Sequence, residues 1–164
     1  MVRADISPRL EACQRVAVET LSVFQQESNQ RIPPVPIDFV AKWLGLTVVP
    51  LFSIPMECSA IVSTRDKLIG VNAKHHSRRR RFSIAHELGH ILMKHRPESK
   101  CTRGEIFQFN MEADFCASAL LMPDVEVVKV LQEGKTPEVL AHLFDVSEDA
   151  MKRKLDYLQK SRLL

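Results

Sequence analysis

Residues four apart on an α-helix stand one above the other, and His86-Glu87-Leu88-Gly89-His90 uses that spacing. As a helix, this stretch lets the two imidazoles converge on a single metal ion. Glu87, three positions before His90, then reaches a water in the open coordination position. A catalytic zinc takes three protein ligands and one water, whose pKa it lowers to about 7. A carboxylate beside that water serves as general base and later hands the proton to a leaving amine. The motif therefore dictates a helix around residues 82–94 and requires a third ligand from another element. Without that ligand it is a surface helix carrying two histidines and a glutamate.

The third ligand is sought on the next helical pattern, Met111 to Met122, which Pro123 stops. Glu112 lies 22 residues beyond His90, and Cys116, Ala119 and Leu120 share its face. A small apolar face with one carboxylate suits a helix packed beneath a metal, so His86, His90 and Glu112 are the expected ligands, with Glu87 as catalytic base. Asp114 faces roughly the other way and is the weaker candidate; the plainer reading of Glu112 is a solvated helix carboxylate. The ion is expected to be Zn2+, with Mn2+ or another divalent metal compatible with the same donors. A second reading closes the site with Cys116 as fourth ligand, giving a structural zinc in a DNA-binding regulator. Glu87 argues against it, since a structural site has no use for a base. A third reading, a non-catalytic binding module, is opposed by the intact motif.

The rest of the chain supplies an α+β frame. Leu10, Cys13, Ala17, Leu21 and Phe24 repeat at three and four residues and predict an amphipathic helix from Pro8 to about Gln26, with Ser7 as cap. Prolines 33, 34 and 36 break it, and a short helix follows from Ile37 to Trp43 before Gly45. Leu46 to Phe52 reads as a strand, and residues 59–63 and 67–72 as a hairpin turning at Thr64-Arg65-Asp66. About three strands thus precede the motif helix. Pro97 ends that helix, and a polar loop from Glu98 to about Phe107 is expected. Past Pro123, a helix from Val125 to Gln132 stops at Gly134.

Residues 136–158 have a helix-turn-helix pattern: Leu140-Ala141 on the first helix, Asp145-Val146-Ser147 in the turn, Met151 and Leu155 on the second. Asp145 tolerates left-handed geometry, and Ser147 caps the second helix. Lys152, Arg153, Lys154, Lys160 and Arg162 make this end basic, but Glu148, Asp149 and Asp156 interrupt the charge. Packing or protein docking is favoured over nucleic-acid contact through 136–162. The whole chain carries a net charge of only +3, too little to demand a polyanionic partner. The uninterrupted run Arg78 to Arg81 sits where a helix dipole disfavours it; it reads as solvated charge or as a docking patch. The four cysteines form no C-x-x-C pair, and no apolar run approaches membrane-spanning length. Met1 to Asp5 leads into no apolar segment. A reduced, cytoplasmic, single-domain protein is expected over 1–164, with 124–164 as a helical C-terminal subdomain.

Three stretches resemble the ImmA/IrrE family of metallo-endopeptidases: Arg79 to His90, Glu112-Ala113-Asp114 through Met122-Pro123, and Leu140 to Ser147. The resemblance implies a zincin-like fold, zinc held at His86, His90 and Glu112, and Glu87 as catalytic residue. It further implies narrow-specificity cleavage of a partner transcriptional repressor, in a stress response or a mobile element. Two positions depart from the family pattern: Lys94 stands where a histidine is common, with His95 following, and Cys116 stands where an aromatic is usual.

Overall fold

A computed structural model describes residues 8–161 and 163. Ser7, Met1 to Asp5 and Arg162 lie outside the described residues. The element order is α1 (Pro8–Ser28), α2 (Ile37–Trp43), β1 (Thr47–Leu51), β2 (Ala60–Ser63), β3 (Leu68–Asn72), α3 (Ser77–Leu92), α4 (Arg103–Leu121), α5 (Asp124–Gln132), α6 (Pro137–Leu143) and α7 (Glu148–Lys160). The class is α+β, with seven α-helices and one small mixed sheet among the described residues.

The strands run in the order β1-β3-β2. β3 is central and buried from Ile69 to Asn72; it pairs in parallel with β1 (Thr47 opposite Leu68) and antiparallel with β2 (Val62 opposite Ile69). β2 and β3 form the expected hairpin, which leaves β2 as an edge strand with Ile61 half exposed.

α3 and α4 pack closely because Gly89 removes a side chain at their crossing. A Cβ built there falls 2.9 Å from the Ala113 carbonyl oxygen and 3.1 Å from Cys116 Cβ. Ala85 and Leu88 of α3 and Ala117 and Leu120 of α4 are fully buried around that crossing. α1 covers the opposite side of α4 through Cys13, Ala17 and Leu21.

α3 begins at Ser77, five residues before the expected Phe82, because its arginines are partnered. Arg78 and Arg81 both pair with Asp145 at 3.3 and 3.2 Å. Arg81 also donates to the Val35 carbonyl at 2.9 Å, Arg80 to the Ala73 carbonyl and Arg79 to Ser59 Oγ. The basic run is a set of staples, and neighbouring acceptors offset the unfavourable helix dipole. α4 likewise begins earlier than expected, at Arg103, where Thr102 and Glu105 form a reciprocal capping box. Most of the predicted loop from Glu98 to Phe107 is a single 3-10 turn, Glu98–Lys100, and the first turn of α4.

α6 and α7 form the helix-turn-helix pair. Asp145 adopts a left-handed φ of 51°, and Ser147 Oγ accepts from Ala150 N at 3.1 Å. Lys154 is not part of a basic surface: it is 4% exposed and ion-paired with Asp124 at the start of α5. Among the described residues no helix is long and apolar enough to cross a membrane.

Candidate metal centre

α3 places His86 and His90 one turn apart, and their Nε2 atoms stand 3.0 Å from each other. His86 Nδ1 donates to Asp114 Oδ1 at 2.7 Å, which leaves the His86 Nε2 lone pair free and aimed at His90. Carboxylate partners of this kind fix the tautomer and orientation of metal-ligating histidines. Asn110 Oδ1 lies 3.1 Å from His90 Nε2. The side chain of Asn110 therefore completes the cluster from α4.

Glu112 does not join it. One residue advances an α-helix by about 100°. Asn110 and Asp114, four apart, thus stand on the His86–His90 side, and Glu112 is turned about 200° from either. Its carboxylate, 2% exposed, receives both Nε and Nη2 of Arg9, the latter at 2.8 Å, with Gln108 Nε2 and His95 Nε2 each at 2.9 Å. The expected buried face is correct, including Cys116, Ala119 and Leu120, but Cys116 lies against Gly89 of α3 and Glu112 is held by Arg9 of α1. Cys116 is buried against Gly89, where burial raises its thiol pKa to about 12, far from the thiolate a structural zinc needs. Asp114, read from the sequence as the weaker candidate, is the carboxylate that meets the histidines.

The electrostatics follow the geometry. Burial pushes the His86 pKa down, but the Asp114 hydrogen bond and charge outweigh it, so the net shift is upward. Burial and the neighbouring rings of His86 and His90's other partner, His95, lower His90 to about 4, which keeps it neutral. Burial raises Glu87 above the ordinary carboxylate range, the direction that suits a proton carrier near neutral pH. Burial also works to raise Glu112, yet Arg9, His95 and Gln108 bring it down to about 2.

His86, Glu87, His90 and Asn110 line one cleft of about 670 Å³, which Ala60, Ile61 and Val62 of strand β2 and Thr64 just past it also line. The donor set fits a divalent ion at the two imidazoles. Its third member is a neutral amide oxygen in place of a carboxylate, so charge complementarity is weaker than in a His2Glu site. Asn110 carried a readable signal, since Asn110 and Asp114 repeat the four-residue spacing of His86 and His90.

No curated protein matches the sequence. Among solved structures, a Mycobacterium tuberculosis transcriptional regulator superimposes with a TM-score of 0.65 at 17% identity, over 91% of this chain and 52% of that one. The likeness concerns the fold, and the chain spans about half the length of that protein. The family model for the IrrE N-terminal-like domain, peptidase M78, matches residues 48–156, from the sheet through the histidine cleft to the C-terminal pair. The chain belongs to that peptidase family.

Proposed function

We propose that this protein is a metal-dependent endopeptidase of narrow specificity, with His86 and His90 holding a divalent ion (Zn2+, or Mn2+ in its place) and Asn110 in the third position expected of Glu112. The observation that carries the reading is the pair of Nε2 atoms 3.0 Å apart, with Asp114 on the opposite nitrogen of His86. Two nitrogens at that distance either share one hydrogen or hold a cation between two lone pairs, and this reading takes the second arrangement. When bound there, the ion supplies the positive charge that acidifies a water and polarises a peptide carbonyl.

The remaining work falls to the chain's own groups. Glu87, on the cleft wall with a raised pKa, takes the proton from the water as the oxygen attacks the carbonyl carbon. It returns that proton to the amine nitrogen as the C–N bond breaks, so the proton count balances. β2 offers its free edge across the cleft, where an extended peptide adds as a strand. Only an unfolded segment meets that demand, so the scissile bond belongs in a linker or exposed loop. With only a four-residue edge strand, Ala60–Ser63, beside the histidines, selectivity comes from docking a folded partner, and a transcriptional repressor is the partner implied by the family resemblance. The chain acts as one domain in this reading, inside the cell, with the α6–α7 pair serving docking.

The test incubates protein and zinc with candidate transcriptional repressors from the same genome and, separately, with casein. Cleavage of one repressor at one or two sites is expected, and Glu87→Gln abolishes it while metal content by elemental analysis stays at the wild-type level. Degradation of casein at many sites with the repressors untouched refutes the specificity; loss of metal in Glu87→Gln refutes the role of Glu87.

A further inference from the structure

His90 Nδ1 does not reach a carboxylate or a backbone carbonyl as His86 Nδ1 reaches Asp114. It faces His95 Nδ1 at 2.9 Å. Two imidazole nitrogens at that distance share one hydrogen, so one ring donates and the other accepts. The far side of His95 decides which. His95 Nε2 lies 2.9 Å from Glu112 Oε2, and that carboxylate also holds Arg9 and Gln108. An ionised carboxylate only accepts, so His95 Nε2 carries a hydrogen. When its Nε2 carries the only hydrogen of the ring, His95 has a lone pair on Nδ1 and accepts from His90 Nδ1–H. His90 is left with its Nε2 lone pair facing His86 Nε2 and the Asn110 amide oxygen, an array of acceptors that a cation among them satisfies and that, without one, favours a hydrogen on Nε2.

We propose that Glu112 is a positioning residue that acts through His95 to hold His90 in the Nδ1–H form, the form that presents Nε2 to a metal. Glu112 thus serves the site from behind the ligand, at one remove, as Asp114 serves His86 directly. The relay is built for rigidity. His95 is 2% exposed in its side chain and stacks on Phe109 with ring centroids 4.3 Å apart and planes at 10°. Arg9 brings α1 into the same network from 103 residues away in sequence.

This inference rests on the metal reading, and Co2+ separates the two through the visible absorption of the bound ion. Wild type should bind Co2+ and His86→Ala should not; a wild type that binds none refutes the metal reading and this inference with it. The relay itself is tested at His95. Asn at this position puts its Oδ1 about where His95 Nδ1 stands and keeps the acceptor, but loses the stacked ring. Phe keeps the stack on Phe109 and loses the acceptor. The relay predicts that His95→Phe weakens Co2+ binding about 10- to 100-fold, as removal of a partner behind a ligand does, while His95→Asn stays within a few-fold of wild type. Packing alone predicts the reverse order, and equal affinity in His95→Phe overturns the proposal. Should His95→Phe fail to fold, nitrogen-15 NMR of the Zn2+-loaded wild type at about pH 8, where imidazoles are neutral, decides. Hydrogen on Nδ1 of His90 and Nε2 of His95 is the expected pattern; hydrogen on Nε2 of His90 refutes it.

Discussion

On one stretch of α4, Asn110, Glu112 and Asp114 belong to two networks: the outer pair meets the motif histidines and the middle residue meets Arg9 and His95. The convergence of His86 and His90 was legible from sequence because it depends only on helical pitch. The same pitch links Asn110 to Asp114, but a search for an acidic third ligand passes over an amide. Arg9 was illegible, since its carboxylate partner is fixed by how α1 lies on α4 and not by local pattern. If an ion sits at His86, His90 and Asn110, it has no anionic ligand there, and Asn110→Glu should raise Zn2+ affinity at least tenfold by calorimetric titration. Glu112→Ala should lower the melting temperature of the metal-free protein, since it removes a buried carboxylate that accepts four hydrogen bonds and leaves buried His95 without its partner. The network assignment fails if the melting temperature of metal-free Glu112→Ala equals that of wild type.

Helices and strands were read from period and punctuation, and these located most elements: the β2–β3 hairpin, the proline-stopped end of α4 and the turn at Asp145. Their starts were harder. Thr102-Arg103-Gly104-Glu105 is a capping-box sequence inside a stretch too polar to look helical, and the arginine run looked like a poor helix start until its acceptors were placed. Those acceptors lie on α2's entry, the sheet and the α6–α7 turn, which sequence order keeps far apart. The crossing of α3 and α4 gives a sharp test. Gly89→Ala sets a methyl against the Ala113 backbone, which cannot yield as a side chain does, and should cost about 1–3 kcal/mol in denaturant unfolding. Asp145→Ala leaves Arg78 and Arg81 without their shared carboxylate and should shift the midpoint in the same direction by a smaller amount, about 1–2 kcal/mol.

Across the molecule, the His86–His90 cleft lies between β2 and α3, and the C-terminal pair lies at the opposite end of the same helix. If β2 receives substrate, Ile61→Asp should raise KM for the protein substrate several-fold while kcat changes little, because the residue borders the peptide and not the reacting bond. A predominant fall in kcat would place Ile61 nearer the chemistry than this geometry does. The C-terminal pair has less positive surface than its sequence suggests, since Lys154 is committed to Asp124. Charge reversal at Lys152 and Arg153 is therefore expected to leave duplex DNA binding negligible in about 0.15 M salt, as in wild type; tight, sequence-selective binding by the wild type would contradict it. The clamp of Arg78 and Arg81 on Asp145 ties the turn between α6 and α7 to the first turns of the helix that carries both histidines. Thermodynamic linkage follows from that tie. If the His86–His90 pair holds an ion, a partner that loosens Asp145 and thereby shifts that helix changes the affinity for the ion, and an occupied site changes the affinity for that partner by the same factor.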